Sequence, residues 1–468
     1  MGVGVRVRAG GGYEPEMTIF TDLLADLAAN PIPYVLLRDK PDAPGIHDLD
    51  LLIDETKSGE FLTLCRKHGF RLIRNGRLNP GKLLLLRWQN EGPLLLDVHQ
   101  RLVVRGVEYL DAQSVLARRR AEDGYFFPDR EDHFLTLLFH NILGKGEIQA
   151  KHREQLAALL SQPLDERYLA RHTTAFGLQK TLTTVRQRFG ELQQKPELVR
   201  RLSAASYRQI YRRRPVNWLR RQALQIKAWL QKWWGAPRGV LIVLLGPDGC
   251  GKSTLIHKLR ENLRAAALTT DTVYLGPWGQ SVLPLQKFLS RFNITPYRAE
   301  DKAFYSGKTA QREIPQGWAL WKQNAKAWLY YLAVAIELWY RYFKLVLPKL
   351  RQGRIVLADR YIYDLLVGYK SRPMDYHWGI RRWLCRRFPR PHLTLLLDAP
   401  PEVIHRRKPQ FSKENLAAIR AAYADFASEY DLKILDTSVS VEKTLSDFQQ
   451  NYLNRILDQV EKYAETKG

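Results

Sequence analysis

The nine residues Gly246-Pro-Asp-Gly-Cys-Gly-Lys-Ser-Thr254 constrain this chain more than any other feature. They fit the pattern G-x-x-x-x-G-K-[ST]. An apolar run, Val240–Leu245, precedes them and reads as a buried strand, and a helical pattern from Thr254 to Leu263 follows. In that setting glycines turn backbone N–H groups inward around phosphate oxygens, at a helix N-terminus whose dipole favours anions. Gly246, Asp248, Gly249, Gly251, Lys252, Ser253 and Thr254 are therefore expected to form the nucleotide-binding loop. Lys252 should reach the β- and γ-phosphates and the Ser253 hydroxyl should ligate Mg²⁺, which makes ATP and Mg²⁺ the expected cofactors. Asp248 is the unusual member of the loop. A carboxylate aimed at a triphosphate would repel it. The expectation is that Asp248 points away and accepts a hydrogen bond from an acceptor's hydroxyl; a turn-forming Asp in Pro-Asp-Gly is the alternative.

The surrounding pattern sets the fold class. Over residues 239–468 the apolar runs Val240–Leu245, Ile355–Leu357, Leu393–Leu397 and Leu432–Leu435 are separated by long helical stretches. Such alternation predicts an α/β domain with a parallel sheet flanked by helices on both faces. Residues 131–238 read as a helical, basic connecting region broken at Pro163, Pro196 and Pro215. Residues 1–130 mix both periods, as in an α+β domain. Phe20, Leu23, Leu24 and Leu27 share a helical face, and strands are expected at Tyr34–Leu37, Leu49–Ile53, Lys82–Trp88 and Pro93–Val98. A turn is expected at Asn90-Glu91-Gly92. The aromatic-rich stretch Ala327–Leu347 carries Glu337, Arg341 and Lys344, so it reads as a buried helix rather than a membrane span.

The loop with its acidic residue resembles that of thymidylate kinases, and later segments extend the likeness over about residues 239–455. Ile355-Val-Leu-Ala-Asp-Arg-Tyr361 is similar to that family's strand ending in Asp-Arg-Tyr. Leu395-Leu-Leu-Asp-Ala-Pro-Pro-Glu402 resembles its next strand leading into a lid, and Lys433-Ile-Leu-Asp-Thr-Ser438 its last strand near the adenine pocket. The resemblance implies that Asp359 sits near Mg²⁺ or its waters and that Arg360 meets the acceptor's phosphate. Charged residues at the C-terminal end of a parallel strand also lie where open α/β sheets bind ligands. Arg406, Arg407 and Lys408 form a basic cluster in the lid, ahead of a helix that Ser412 can cap, and basic lid groups suit phosphoryl transfer. Two departures touch the acceptor side. Tyr274-Leu-Gly-Pro-Trp-Gly279 replaces the family's Arg-Glu-Pro segment. Leu338 stands where the family often carries a phosphate-binding arginine, with Arg341 a candidate substitute.

In the first domain, His47-Asp48-Leu49-Asp50 places two carboxylates on one face of a strand, and Asp97 in Leu94-Leu-Leu-Asp-Val-His-Gln-Arg101 supplies a third. Three convergent carboxylates can hold two metal ions for nucleotidyl transfer. Residues 15–130 thereby resemble the nucleotidyltransferase superfamily, in particular the uncharacterised group whose second motif reads Asp-Val/Leu-His. The resemblance implies Asp48, Asp50 and Asp97 as metal ligands; His99 reads either as a group supporting them or as a structural histidine. The usual Gly-Ser or Gly-Gly cradle is missing; Leu37-Arg38-Asp39-Lys40 stands there, with Gly45 nearby, which leaves three readings: Arg38 replaces the cradle, the domain binds without catalysing, or it is inactive.

Charge adds a partner class. The net charge of +25 favours polyanions: nucleotides, nucleic acid or an anionic membrane face. Residues 196–238 hold eleven Lys/Arg against one acid, with Trp218, Trp229, Trp233 and Trp234 among them. Leu219, Ala223, Ile226, Leu230 and Trp233 form a helical stripe with Arg220, Arg221, Lys227 and Lys232 off it. Such a helix over 216–235 suits either docking between domains or peripheral contact with an anionic membrane. No specific nucleic-acid module is present. Three dispersed cysteines suit a reducing compartment, and the first residues lack the apolar core of a signal peptide, so a cytoplasmic location is expected.

Together these features predict an enzyme, a nucleoside monophosphate kinase of the thymidylate kinase type acting on dTMP or a related acceptor. One alternative is a nucleotidyltransferase with the loop domain as its nucleotide-binding module. Another is a non-enzymatic, nucleotide-dependent membrane-surface protein.

Overall fold

The computed structural model describes residues 16–38, 40–41, 46–76, 79–89, 92–277, 282–283, 291, 316–367 and 378–465. Asp39, Gly45, the Asn90-Glu91 turn and Trp278-Gly279 lie outside them. The chain divides into two compact units, with the boundary between Ala228 and Trp229.

The first unit is built on a five-stranded mixed sheet. Its strands are β1 (Tyr34–Leu36), β2 (Asp48–Ile53), β3 (Arg71–Asn75), β4 (Lys82–Gln89) and β5 (Gly92–His99), in the order β1-β2-β5-β4-β3. β2 and β5 run parallel and the other neighbours antiparallel. The register sets Asp50 beside Asp97 and Leu52 beside His99. In-register residues of adjacent strands project from the same face, so the polar side chains converge by pairing alone. The helix Glu16–Ala29 buries Phe20, Leu23, Leu24 and Leu27, with Phe20 stacked on Phe70 at 6.1 Å between ring centroids. Two hairpins follow, β6 (Leu102–Val104) with β7 (Val107–Leu110) and β8 (Arg120–Glu122) with β9 (Tyr125–Phe127).

The helical stretch after residue 130 differs from a separate connecting region. Phe134, Leu138, Leu156, Leu169, Val185 and Ile210 share one hydrophobic core with Val35 and Leu52 of the sheet. The breaks fall where proline dictates: Pro196 and Pro215 open the helices Pro196–Arg213 and Pro215–Trp233, where a missing N–H costs nothing. Only Asn217 is buried in the second of these helices.

The second unit carries five parallel strands, β10 (Val240–Leu245), β11 (Thr270–Tyr274), β12 (Ile355–Asp359), β13 (Leu393–Asp398) and β14 (Leu432–Asp436). Their order is β11-β12-β10-β13-β14. β10 is central and buried at every residue, which is why its sequence is an unbroken apolar run. The chain goes from β10 first to one side, through β11 and β12, and then to the other, through β13 and β14. Such a switch opens a crevice at the carboxyl ends of the central strands, where open α/β sheets bind ligands.

The stretch read as a buried helix is buried on one face only. It belongs to a helix, Trp318–Arg341, continued by a π turn at Tyr342–Val346. Ala327, Tyr330, Tyr331, Val334 and Leu338 enter the core, whereas Trp318, Trp321, Trp328, Leu332, Ile336 and Phe343 are exposed. Aromatic residues all round the helix hid that asymmetry. Among the described residues, no helix is long and apolar enough to cross a membrane.

Candidate functional site

The loop after β10 needs its glycines. Gly246, Gly249 and Gly251 have φ of 134°, 93° and 96°, a region that L side chains avoid. A Cβ on Gly246 would also stand 2.5 Å from the Leu397 carbonyl oxygen and 2.8 Å from Cys250 Sγ. Lys252 opens the helix Lys252–Ala265, and its ammonium donates to the Gly246 and Pro247 carbonyls at 2.8 Å each. Ser253 and Thr254, next along, are exposed.

Asp359 ends β12 alongside the loop. Burial pushes its carboxyl up, against the pull of Lys252 and Arg360. Its Oδ1 is buried without a hydrogen-bond partner, an orphan acceptor of the kind a cation or its water satisfies. Arg360 adopts a left-handed φ of 65°, rare for a residue with a Cβ, while its N–H donates to the Leu244 carbonyl at 3.0 Å. That turn aims the guanidinium between two carboxylates. It donates to Asp364 at 2.7 Å and to Asp248 of the loop. Burial disfavours its charge, yet Asp364 and Asp248 outweigh burial and raise its pKa. Burial likewise works against the Asp248 carboxylate, but Arg360, Lys252 and Lys408 hold it below its usual range. Asp364 in turn accepts from Tyr423 at 2.9 Å. Asp364 is not among the residues that the sequence motifs single out, although its i+4 spacing from Arg360 on a helical turn is a signal for the pair.

The lid segment follows β13. The helix Pro401–Arg407 is short, and Ser412 caps the next, Lys413–Ala427, by accepting from the Asn415 N–H at 3.2 Å. Arg407 donates to the Thr437 carbonyl at 2.8 Å, and Lys408 lies 3.6 Å from Asp248. A cavity of about 680 Å³ is lined by Asp248, Gly249, Gly251, Lys252, Ser253 and Thr254, by Asp359 and Arg360, and by Arg407 and Lys408. Tyr274, Thr437, Ser440 and Thr444 also line it, with the apolar Leu255, Val439 and Val441. Arg406 is exposed and stands outside that lining, as does Gly246, whose place is structural. Arg341 is engaged elsewhere. It is buried, donates to Glu337 at 2.7 Å and to the Gly276 carbonyl at 3.3 Å, while Glu337 accepts from the Val282 and Leu283 N–H groups. Leu338 is core.

The first unit has its own polar cluster. Ligand atoms of Asp50, Asp97 and His99 lie within 4.8 Å of one another, close enough to share a metal ion. Asp48, at the exposed start of β2, is outside this trio. Asp50 pairs with Arg38 at 2.7 Å, and Arg38 also meets the His140 ring at 3.1 Å. Asp97 pairs with Lys82 at 2.7 Å and lies 3.6 Å from His99 Nε2, yet its Oδ1 is a buried atom without a hydrogen bond. Burial pushes Asp50 up to about 6 despite Arg38, and burial pushes His99 down to about 4 despite Asp97.

Strand order, glycine loop and cavity make the second unit a P-loop kinase fold. No protein-family model matches the chain. It is 31% identical over 217 residues to a probable thymidylate kinase of Metallosphaera sedula, covering 44% of this chain and 88% of the relative. A probable thymidylate kinase of Methanosarcina acetivorans matches at 28% over 243 residues, 48% of this chain and 98% of the relative. Probable thymidylate kinase 1 of Saccharolobus solfataricus matches at 24% over 211 residues, 44% of this chain and 92% of the relative. The chain belongs to the thymidylate kinase family, through a kinase-like domain that accounts for under half its length.

Proposed function

We propose that the second unit transfers the γ-phosphoryl group of ATP to a nucleoside monophosphate, dTMP or a related acceptor. The observation that carries this is one cavity lined by a phosphate-type loop, an under-bonded carboxylate and three cations. The loop N–H groups and Lys252 take the donor's phosphates, with Lys252 exchanging its carbonyl partners for phosphate oxygens. Ser253 and Asp359 fit Mg²⁺, since the orphan Asp359 oxygen is a hard donor beside the loop. Bound there, the ion would neutralise charge on the β- and γ-phosphates. Arg407 and Lys408 bring further positive charge from the lid side. Asp248, fixed by Arg360, keeps an oxygen near the cavity for an acceptor hydroxyl. Arg341, the candidate beside Leu338, is bonded to Glu337 and the Gly276 carbonyl, whereas Arg360 lines the cavity and is the candidate for the acceptor's phosphate. The three buried free thiols suit a reducing compartment.

The test is ADP release by the purified chain with ATP·Mg and a panel of nucleoside monophosphates. Acceptor-dependent release, absent from Lys252→Ala, is expected. Release that ignores every acceptor, or persists in the variant, contradicts the reading.

A second reading concerns the first unit. Asp50, Asp97 and His99 favour one divalent cation, and with it a nucleotidyl-transfer chemistry. The orphan Asp97 oxygen supports the fit, while Arg38 and Lys82 already neutralise the two carboxylates. Calorimetric titration with Mn²⁺ should show a site lost in Asp97→Asn and kept in Lys252→Ala; identical titrations of parent and Asp97→Asn contradict it.

A further inference from the structure

The helix Pro215–Trp233 presents apolar side chains to solvent. Val216, Trp218, Leu219, Ile226, Trp229 and Trp233 are each between 44% and 61% exposed. Soluble surfaces rarely leave so many large apolar groups together on one helix. The charged positions between them are all cationic, Arg220, Arg221, Lys227 and Lys232, alongside the neutral Asn217, Gln222, Gln225 and Gln231, and Arg212, Arg213 and Arg214 stand just ahead. From Leu198 to Arg238 the sequence contains no carboxylate.

We propose that this helix lies on an anionic membrane surface, its apolar stripe in the interface and its cations at the headgroups. Charge decides among occupants. A second copy meeting the same face would set cation against cation, because a two-fold interface pairs a patch with itself. A nucleic acid would satisfy the cations but leave Leu219 and Ile226 without a partner. An anionic bilayer satisfies both, and tryptophans favour its interfacial zone. The second unit shows the same chemistry independently. On the helix Trp318–Arg341, the exposed Trp321, Trp328, Leu332 and Ile336 stand with Lys322 and Lys326, and the helix's one carboxylate, Glu337, is buried.

The experiment is co-sedimentation of the full chain with phosphatidylglycerol/phosphatidylcholine vesicles and with phosphatidylcholine vesicles alone. Pelleting with the anionic vesicles only, weakened by added salt, is expected. Each of Arg220→Gln, Lys227→Gln and Lys232→Gln should lower the partition coefficient about fivefold. The combined variant Trp218→Ser/Leu219→Ser/Ile226→Ser should lose most binding while melting at the parent's temperature. Four results overturn the proposal. They are no pelleting, pelleting indifferent to the apolar variant, binding abolished by Trp321→Ser/Leu332→Ser alone, and a concentration-dependent dimer that the apolar variant abolishes in a chain that does not pellet.

Discussion

The two units solve a similar problem differently. Each gathers carboxylates near the ends of parallel strands, beside basic groups. In the second unit, glycines free the backbone to form an anion cradle and a cavity stands open beside Asp359, whose buried Oδ1 lacks a hydrogen bond just as Asp97 Oδ1 does in the first unit. In the first, Asp50 and Asp97 sit side by side with Arg38 and Lys82 bonded to them. The difference teaches that paired acids and bases occur in both units, whereas glycine-fixed backbone donors beside a cavity lined by Lys252, Arg360, Arg407 and Lys408 belong to the second.

The comparison breaks most visibly at Lys252. Lys252→Ala should lower phosphoryl transfer about 1,000-fold, the scale for losing one fixed electrostatic stabiliser, as read by initial rates of ADP release. Arg360→Ala comes next. It leaves Asp364, 2% exposed, without its cation, and should destabilise the second unit by about 3 kcal/mol in urea unfolding. An unchanged midpoint would show that Tyr423 alone can hold Asp364.

In the first unit the sharpest handle is pH. Asp50 has a folded pKa of about 6, above the usual carboxylate value, so the fold binds its proton more tightly than the unfolded chain does. Its contribution therefore falls as pH rises from about 4 to about 6. His99 works in the opposite sense. Its folded pKa of about 4 lies below the usual value, so stability is lost as pH falls from about 6.5 to about 4. The two slopes oppose each other in the same window. Asp50→Asn should remove the falling one, so that the variant gains on the parent by up to roughly 2 kcal/mol between about pH 4 and 6. A pH-independent difference between variant and parent would contradict the burial of Asp50.

The smallest effect separates two neighbours in the lid. Arg407→Ala should slow turnover about tenfold, whereas Arg406→Ala, exposed and outside the cavity, should change it less than about twofold.

The loop cavity was largely legible because most of its lining comes from contiguous segments. The loop motif, strand β10 and Asp359-Arg360 are contiguous in sequence, and glycine spacing reports backbone conformation directly. Strand β11 was missed because Thr270-Asp-Thr-Val-Tyr274 is an edge strand with alternating polar residues and no apolar run. The Asp248–Arg360–Asp364 chain was hidden because it joins residues 112 positions apart. The same holds for Arg38, whose commitment to Asp50 and His140 depends on tertiary packing. The expected three-acid set in the first unit came from spacing along β2. The strand register instead brings His99 of β5 beside Asp50 and Asp97, and Asp48 stays at the exposed strand end.

If the second unit works as proposed, its loop cavity passes a phosphoryl group from ATP to a nucleoside monophosphate. The direct measurement is the fate of γ-labelled ATP incubated with the purified chain, Mg²⁺ and each of the common nucleoside monophosphates, dTMP included. Label is expected in a nucleoside diphosphate for at least one acceptor with the parent chain, and in none with Lys252→Ala. Label that never reaches any of these acceptors, in a preparation that binds ATP, would contradict it.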